Sequence, residues 1–447
     1  MPLSAEGGWE GDKSRTSQKT CLYLNFNSLR EKGSIKMRTK GICQYFTVFL
    51  RAFHFTDFIN LFKCVCYLFA LLCLGCSPFS EKKNEVPFHR QEDRFPHKAI
   101  VKYAKGFSIS YFNNYKIVSV FNPFKKDGDT VRYVLVQRGT SPPKGFDPHT
   151  IVEIPIRNMI CFSTTHIALT DFLDANELVT GLSNTEAVCN KQIRERIKDK
   201  KIMEVGRSET MNKELVISME PDLVMVVGQP EGRAENHQLL EDSGITVLTN
   251  SEWMETSPLG RTEWVKLLAA FLNKEQLAEE KFNNIEQQYL GMVQLTRSVK
   301  YKPSVITGNT YKGTWSVSGG NSYVANLLKD AGADYYWAND TTRGSITLSL
   351  ELIYELALRA DYWLIPGSAK TLEDIATQDV RFRQFKMFIH GNIFNNMKTT
   401  CEGGGNEYWE SGLVRPHLVL SDLIKIFHPE LLQEHETIYF NKLKNAS

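Results

Sequence analysis

Hydrophobic and polar residues alternate with a period of two between residues 98 and 157. Phe107, Ile109 and Tyr111 are separated by serines, and two asparagines at 113–114 mark a turn before a second alternating run. Side chains of a β-strand point alternately to the two faces of a sheet, so this spacing predicts strands and not helices. Residues 98–157 are therefore predicted to form a small β-rich leader.

After residue 157 the pattern changes to buried strands that alternate with helical segments. Residues 224–227 are apolar at four consecutive positions, as a strand covered on both faces requires. Strand–helix alternation implies parallel sheets with right-handed crossovers, and the same design restarts after Pro303. We therefore predict an N-terminal α/β lobe over 158–256 and a C-terminal α/β lobe over 301–447.

Between these lobes, residues 257–300 have the pattern of linker helices. Pro258 can open a helix after Ser257, and a second helical stretch runs from about Lys274 to Arg297. At a rise of 1.5 Å per residue, that second helix is roughly 35 Å long. The predicted fold class is α/β, with two Rossmann-like lobes joined by a long rigid helix. We expect a ligand in the crevice at the carboxyl ends of the strands.

Composition divides the chain at residue 76. The whole chain has 53 Lys and Arg against 51 Asp and Glu, a net charge of +2, which argues against general nucleic-acid binding. The basic excess lies in residues 1–75, and six of the nine cysteines lie at or before residue 76. The first 76 residues therefore differ in kind from the rest.

An uncharged apolar run at 65–74 is too short for a membrane span of ~20 residues but suits a signal peptide. It closes on Leu74-Gly75-Cys76, and a small residue before a cysteine resembles a bacterial lipobox, in which the cysteine is lipidated and the peptide is cut before it. We predict that 1–75 is a signal segment with a doubtful upstream extension, and that 76–97 is a polar tether. A single-pass anchor or a buried helix is the alternative, and a translation start at or after Met37 would explain the extension.

These features predict that Cys76 carries a lipid. The mature protein would then be anchored at the periplasmic face or cell surface of a bacterial membrane. The remaining cysteines are Cys161, Cys189 and Cys401, an odd number at wide spacing, with no CxxC pair and no zinc-type cluster. We expect three buried thiols, no disulfide framework and no metal site.

Several short segments, taken in order, carry a family resemblance. They are MNKE at 211–214, MEPDLV at 219–224, SPLGRTEW at 257–264, SLE at 349–351, ADYW at 360–363, and the stretch 407–420. In this order the chain, over about residues 155–440, resembles the helix-linked substrate-binding proteins of ABC importers. That family serves ferric siderophores, haem and cobalamin.

The resemblance implies a docking role for two acidic residues. In the family, one carboxylate on each lobe pairs with arginines of the permease, and by position these are Glu214 and Glu351. Each opens a predicted helix, so the alternative is an ordinary carboxylate stabilised by the helix dipole. Exposed ion pairs contribute only about 0–1 kcal/mol each but fix orientation and speed association.

The predicted ligand-binding residues lie in loops that follow strands. Aromatic rings with Arg or Lys suit large flat chelates that carry carboxylates or catecholates. The candidates are Ser163, Thr164, Thr165, His166, Arg207, Tyr311, Lys312, Trp315 and Arg343. Three alternatives stay open: His166 as a hydrogen-bonding or capping residue, Trp315 as a core residue, and the glycine run at 403–405 as a flexible loop near the cleft.

The resulting functional hypothesis is an extracytoplasmic lipoprotein that captures an iron chelate and delivers it to an ABC permease and its ATPase. No GxSxG, Walker, HExxH or dinucleotide motif is present, so we expect no enzyme, no catalytic residue and no intrinsic cofactor. We expect a monomer without a nucleic-acid partner. Arg343 and Lys312 favour a siderophore-like ligand, and the alternatives are haem, cobalamin, a non-transport chelate scavenger or an enzyme acting in the cleft.

Overall fold

The computed structural model describes residues 93–445, except for 125–129, 208–209, 231–234, 312 and 366–368. The predicted signal segment, Cys76 and most of the tether lie outside the described residues. No described helix combines the length and the apolar character that a membrane span needs.

The leader is a four-stranded sheet with strand order β1-β2-β3-β4. Its strands are β1 Phe107–Tyr111, β2 Tyr115–Phe121, β3 Thr130–Gln137 and β4 Ile151–Ile154. The first three strands pair antiparallel, whereas β3 and β4 are parallel. Alternation explains the packing, because Val118 and Val120 turn to the buried face while Phe121 stays exposed.

The first lobe is a parallel five-stranded sheet with order β7-β6-β5-β8-β9. Its strands are β5 Met159–Cys161, β6 Val179–Leu182, β7 Met203–Glu204, β8 Leu223–Val227 and β9 Val247–Asn250. Its helices are α1 Thr164–Phe172, α2 Lys191–Lys198, α3 Lys213–Ser218 and α4 Glu235–Asp242. The apolar run at 224–227 lies in β8, an interior strand of this sheet that is covered on both faces.

Three helices link the lobes: α5 Pro258–Thr262, α6 Val265–Leu272 and α7 Glu275–Thr296. Every residue of α6 is buried. Asn273 ends α6 in the left-handed region at φ 54°, which separates α6 from the long helix α7. The apolar stripe of α7 includes Phe282 and Tyr289, which pack against the core.

The second lobe has a five-stranded sheet with order β13-β10-β15-β16-β17, parallel except for β17. A separate antiparallel sheet, β11-β12-β14, was not predicted. The strands are β10 Ser304–Thr307, β11 Asn309–Tyr311, β12 Thr314–Ser318, β13 Asp334–Tyr335, β14 Ser345–Ser349, β15 Tyr362–Ile365, β16 Ile393–Asn395 and β17 Asn441–Lys442. The helices are α8 Tyr323–Asp330, α9 Leu350–Ala357, α10 Leu372–Gln378, α11 Lys386–Ile389 and α12 Pro416–Phe427. The two-lobed α/β fold with its long helix and leader sheet is thus confirmed.

The leader is bonded to the linker helices by buried carboxylates. Glu263 accepts hydrogen bonds from the backbone N–H groups of Lys102, Tyr103 and Ala104 at 2.6–3.0 Å. Glu263 also pairs with Lys266 at 2.9 Å, and neither side chain has exposed surface. These bonds fix the leader to the rigid middle of the molecule.

The prediction of three unpaired thiols was wrong. Cys189 and Cys401 form a disulfide across a sequence separation of 212, with Cα atoms 5.5 Å apart. Wide spacing along the chain gave no sign of it, because only the tertiary fold brings the two lobes' loops together. Cys161, in strand β5, is a free and buried thiol as expected.

Candidate ligand cleft

A cavity of about 520 Å³ lies between the two lobes at the carboxyl ends of their parallel strands. Ser163 follows β5, Val227 ends β8, Thr307 ends β10 and Leu364 lies in β15, and all four line the cavity. This is the crevice in which open α/β sheets bind ligands. The structure therefore places a ligand-sized space where the strand pattern predicted one.

The first-lobe wall includes the start of helix α1. Ser163 is the N-cap residue, and its hydroxyl accepts a hydrogen bond from Thr165 N at 3.2 Å. The Thr165 hydroxyl donates back to Ser163 Oγ at 2.9 Å. The two hydroxyls thus fix each other's position at the cavity surface.

A buried ion pair lies at the cavity wall beside the linker. The carboxylate of Glu252 is 3.3 Å from the guanidinium of Arg261, and both residues line the cavity. The Arg261 guanidinium also lies over the ring of Tyr323, 4.5 Å from its centroid. Burial raises the pKa of Glu252, and the positive charge of Arg261 opposes that rise. The pair thus provides a fixed positive group and a fixed negative group at the base of the site.

Aromatic side chains complete the walls. Trp253 donates its indole N–H to Gly228 O at 3.2 Å and lies 5.6 Å from the ring of Phe124 in the leader. Tyr408 and Trp409 also pack edge to face, with centroids 4.8 Å apart. Trp253, Tyr408 and Trp409 all line the cavity.

The second-lobe wall combines apolar side chains, among them Val317, Leu327 and Leu364, with a few polar groups and one arginine. Arg343 is exposed and lines the cavity. Burial raises the pKa of nearby Glu255, and hydrogen bonds to this carboxylate and the charge of Arg343 oppose that rise. Asn309 and Asn396 add amide groups. A ligand with negatively charged oxygens and an aromatic or otherwise flat body would find partners on both walls.

The structure brings three of the predicted binding residues, Ser163, Thr165 and Arg343, to the cavity. Thr164 is half-buried in the first turn of α1, and Arg207 is exposed, and neither is a lining residue. Lys312 lies outside the described residues, and Tyr311 is described only as part of β11.

Two predicted binding residues are corrected to core positions. Burial leaves His166 without exposed surface and lowers its pKa to about 3, so its imidazole is neutral inside α1. Trp315 lies in β12, where residues 315 and 317 face the core and 314 and 316 are exposed. Its ring packs against Trp363 and Phe382, and its N–H donates to Thr307 O at 2.9 Å.

Sequence reasoning missed most of the residues that line the cleft. The missed residues with chemical character are Glu252, Trp253, Arg261, Tyr323, Tyr408 and Trp409. Arg261 and Tyr408–Trp409 lie in segments that carried the family resemblance, yet they were used there only as markers of the fold. The position of Glu252 and Trp253 directly after strand β9 is the signal that could have identified them.

Within the described part of the chain, no group of three or more His, Cys, Asp or Glu side chains is arranged to hold a metal ion.

The two predicted docking carboxylates are exposed. Glu214 lies in the first turn of α3 and Glu351 in the first turn of α9, one on each lobe. Asn212 and Ser349 cap these helices through side-chain oxygens that accept N–H bonds. The caps hold each carboxylate at a helix start, where the dipole favours negative charge.

Comparison with known families assigns the fold. A profile described as periplasmic binding protein matches residues 160–394, more than half of the 447-residue chain. The chain belongs to the periplasmic binding protein family. The matched region includes the first-lobe sheet, the linker helices and the second-lobe strands through β16, which together form most of the cleft.

Two relatives of this family member come from Methanocaldococcus jannaschii, and both are named as uncharacterized lipoproteins. One is 29% identical over 364 residues, covering 77% of this chain and 85% of the relative. The other is 24% identical over 359 residues, covering 77% of this chain and 87% of the relative. Both alignments span most of each protein.

Similar solved structures include other periplasmic binding proteins. A periplasmic heme-binding protein from Pseudomonas aeruginosa is 17% identical with a TM-score of 0.49, covering 65% of this chain and 99% of that one. An ABC transporter substrate-binding protein from Listeria monocytogenes is 15% identical with a TM-score of 0.47. The match covers 61% of this chain and 99% of that one.

Proposed function

We propose that this periplasmic binding protein captures a metal chelate in its cleft and delivers it to the permease of an ABC importer. The observation that carries the proposal is the cavity itself. It is ligand-sized, lies between the lobes of a binding-protein fold, and combines Arg343 and Arg261 with the aromatic rings of Trp253 and Trp409. This arrangement serves the binding and release of a ligand and no covalent step.

An iron chelate of the siderophore type fits the chemistry of the walls. The cavity of about 520 Å³ lies within the ~300–1,000 Å³ range of small-molecule sites. Arg343 can donate charge-assisted hydrogen bonds to carboxylate or catecholate oxygens, while Trp253 and Trp409 can stack on a flat chelate. Haem shares the flat shape and the carboxylates, whereas cobalamin is bulkier and offers less negative charge to the arginines.

Two features support a site outside the cytoplasm. The Cys189–Cys401 disulfide is of a kind that persists in oxidising compartments. The relatives that align with 77% of the chain are named lipoproteins. Together with the apolar run at 65–74, which is followed by Gly75 and Cys76, these features support lipid anchoring through Cys76.

Delivery would depend on Glu214 and Glu351 as docking groups for the permease. The test is uptake of a ferric siderophore by cells that depend on this protein, with Glu214→Arg and Glu351→Arg combined. We expect uptake to be abolished while the purified variant keeps its affinity, because both carboxylates are exposed on the lobes and line no part of the cleft.

The matched control is Glu195→Arg combined with Glu434→Arg, which makes the same change in net charge at two other exposed positions. Uptake should be retained in that control. Normal uptake by the Glu214 and Glu351 double variant would reject the docking role. If the control double variant lost uptake to the same extent, the loss would be an effect of net charge and not of docking.

A further inference from the structure

The segment Cys401–Glu410, which we call the strap, leaves the second-lobe sheet and crosses to the first lobe. It follows strand β16 and folds back on itself, with Cys401 N donating to Gly405 O at 2.9 Å and Glu407 N donating to Thr399 O at 3.0 Å. A second connection between the lobes therefore exists in addition to the linker helices.

The strap is anchored to the first lobe by a disulfide and by hydrogen bonds. Cys401 is joined to Cys189 by the disulfide. The Glu410 carboxylate accepts hydrogen bonds from Cys189 N at 2.9 Å and Asn190 N at 2.7 Å. Arg194 donates to Glu402 O at 3.0 Å. A covalent bond and charge-assisted hydrogen bonds thus converge on residues 189–194, which form the end of the preceding loop and the first turn of helix α2.

The glycine run is required for this docking. A Cβ at Gly403, where φ is +90°, would collide with the carbonyl oxygen of Glu186. A Cβ at Gly405 would collide with the carbonyl oxygen of Ala187. Backbone can lie against backbone here only because the side chains are absent. The run is a docked contact, and the sequence-based expectation of a flexible loop does not describe it.

The other face of the strap lines the ligand cleft and contacts the second lobe. Tyr408 and Trp409 form the aromatic wall described above. The Tyr408 ring is 5.5 Å from Phe440 and 6.2 Å from Tyr439, both close to β17 of the second lobe. After the strap, residues 411–414 lie against helix α1, whose start also lines the cavity.

We propose that the strap is a covalent latch that holds the two lobes together at one side of the cleft and limits how far the cleft opens. If the lobes part, the strap must either detach from the first lobe or pull Tyr408 away from the second. Hydrogen bonds and packing can break and re-form within the open–close motion, but the disulfide cannot. The latch therefore restricts opening to motions that leave the Cys189 side of the cleft closed, and it keeps Trp409 in the site. This proposal does not depend on which chelate the cleft binds.

The test is amide hydrogen exchange of the full chain without ligand, comparing the oxidised protein with Cys189→Ser combined with Cys401→Ser. We expect at least tenfold faster exchange at the strap amides and at Asn190, with strands β5, β8 and β10 unchanged. Cys161→Ala, which removes the buried free thiol and keeps the disulfide, is the control and should leave strap exchange unchanged. Small-angle scattering should show a larger radius of gyration only for the double variant.

Reduction of the folded wild type gives the same comparison if the double variant does not fold. Dithiothreitol supplies two electrons and two protons, so that the disulfide becomes two thiols while the reagent becomes its cyclic disulfide. Unchanged strap exchange after reduction would overturn the latch, because the noncovalent contacts alone would then hold the lobes. Equally faster exchange in all strands would also overturn it, since the disulfide would then only raise global stability.

Discussion

The Glu252 carboxylate and the Arg261 guanidinium lie 3.3 Å apart at the wall of the cleft, with side chains 4% and 8% exposed. Both charges have lost most of their hydration, so each depends on the other for stabilisation. Their position, at the first-lobe end of the linker, couples the electrostatics of the ligand site to the stability of the fold.

This dependence predicts strong coupling between the two side chains. Glu252→Leu or Arg261→Leu alone should lower the free energy of unfolding by about 3–5 kcal/mol, because each leaves one unpaired buried charge. The double variant should lose clearly less than the sum of the two single losses. Urea unfolding of the four proteins measures the coupling, and additive losses would show that the pair is not an energetic unit.

A second prediction concerns the attachment of the leader. Glu263→Ala removes the acceptor for three backbone N–H groups and one partner of the buried Lys266. We expect a loss of about 3–5 kcal/mol in the free energy of unfolding.

Glu286→Gln is the control for this variant. Glu286 also bonds to the leader, but its salt bridge to Lys102 is partly exposed, at 15% and 45% for the two side chains. We expect a loss of about 1 kcal/mol or less from that pair. Similar losses for the two variants would show that Glu263 holds the leader no more strongly than Glu286 does.

The strap carboxylate predicts a pH dependence of stability. Burial raises the pKa of Glu410 from 4.5 to about 7, the charges of Glu407 and Asp171 add to the rise, and the N–H bonds from Cys189 and Asn190 oppose it. Because the folded-state pKa lies above the unfolded value, the folded protein binds the extra proton between pH 4.5 and 7. Stability from this group is therefore present at the acidic end and is lost as pH rises towards 7.

The measurement is the difference in urea midpoint between wild type and Glu410→Gln from pH 4.5 to 8. The wild type should lose stability relative to the variant by at most about 3 kcal/mol across that window. A constant difference would show that Glu410 titrates normally, whereas a rise with pH would reverse the sign that burial predicts.

Much of the architecture could be predicted because it is local. The four-residue apolar run in β8 and the alternation around Phe107 each specify an element within a few positions. The antiparallel sheet β11-β12-β14 was missed, although Gly313 at φ +79° makes the turn between its first two strands. Trp315 was misplaced for the same reason, because its period of two with Val317 assigns it to the core face of a strand.

The cleft could be predicted only in part, because its walls come from distant segments. Ser163 follows strand β5 and Arg343 precedes strand β14, and positions next to strands can be recognised in a sequence. Tyr408 and Trp409 reach the cavity only through the strap, whose anchor joins residues 212 positions apart. Such a pairing depends on how the two lobes pack and leaves no periodic trace in the chain.

Titration of the purified protein with a ferric siderophore, haem and cobalamin, read out by quenching of tryptophan fluorescence, tests whether the cleft binds an iron chelate. Trp253 and Trp409 line the cleft, so a bound chelate should quench them. We expect quenching by the ferric siderophore. Arg343→Ala should weaken binding about tenfold, or about 1.4 kcal/mol, and Arg359→Ala, an exposed arginine outside the cleft, should not change it. Quenching by cobalamin alone, or by none of the three, would show that the cleft is not a site for a ferric chelate.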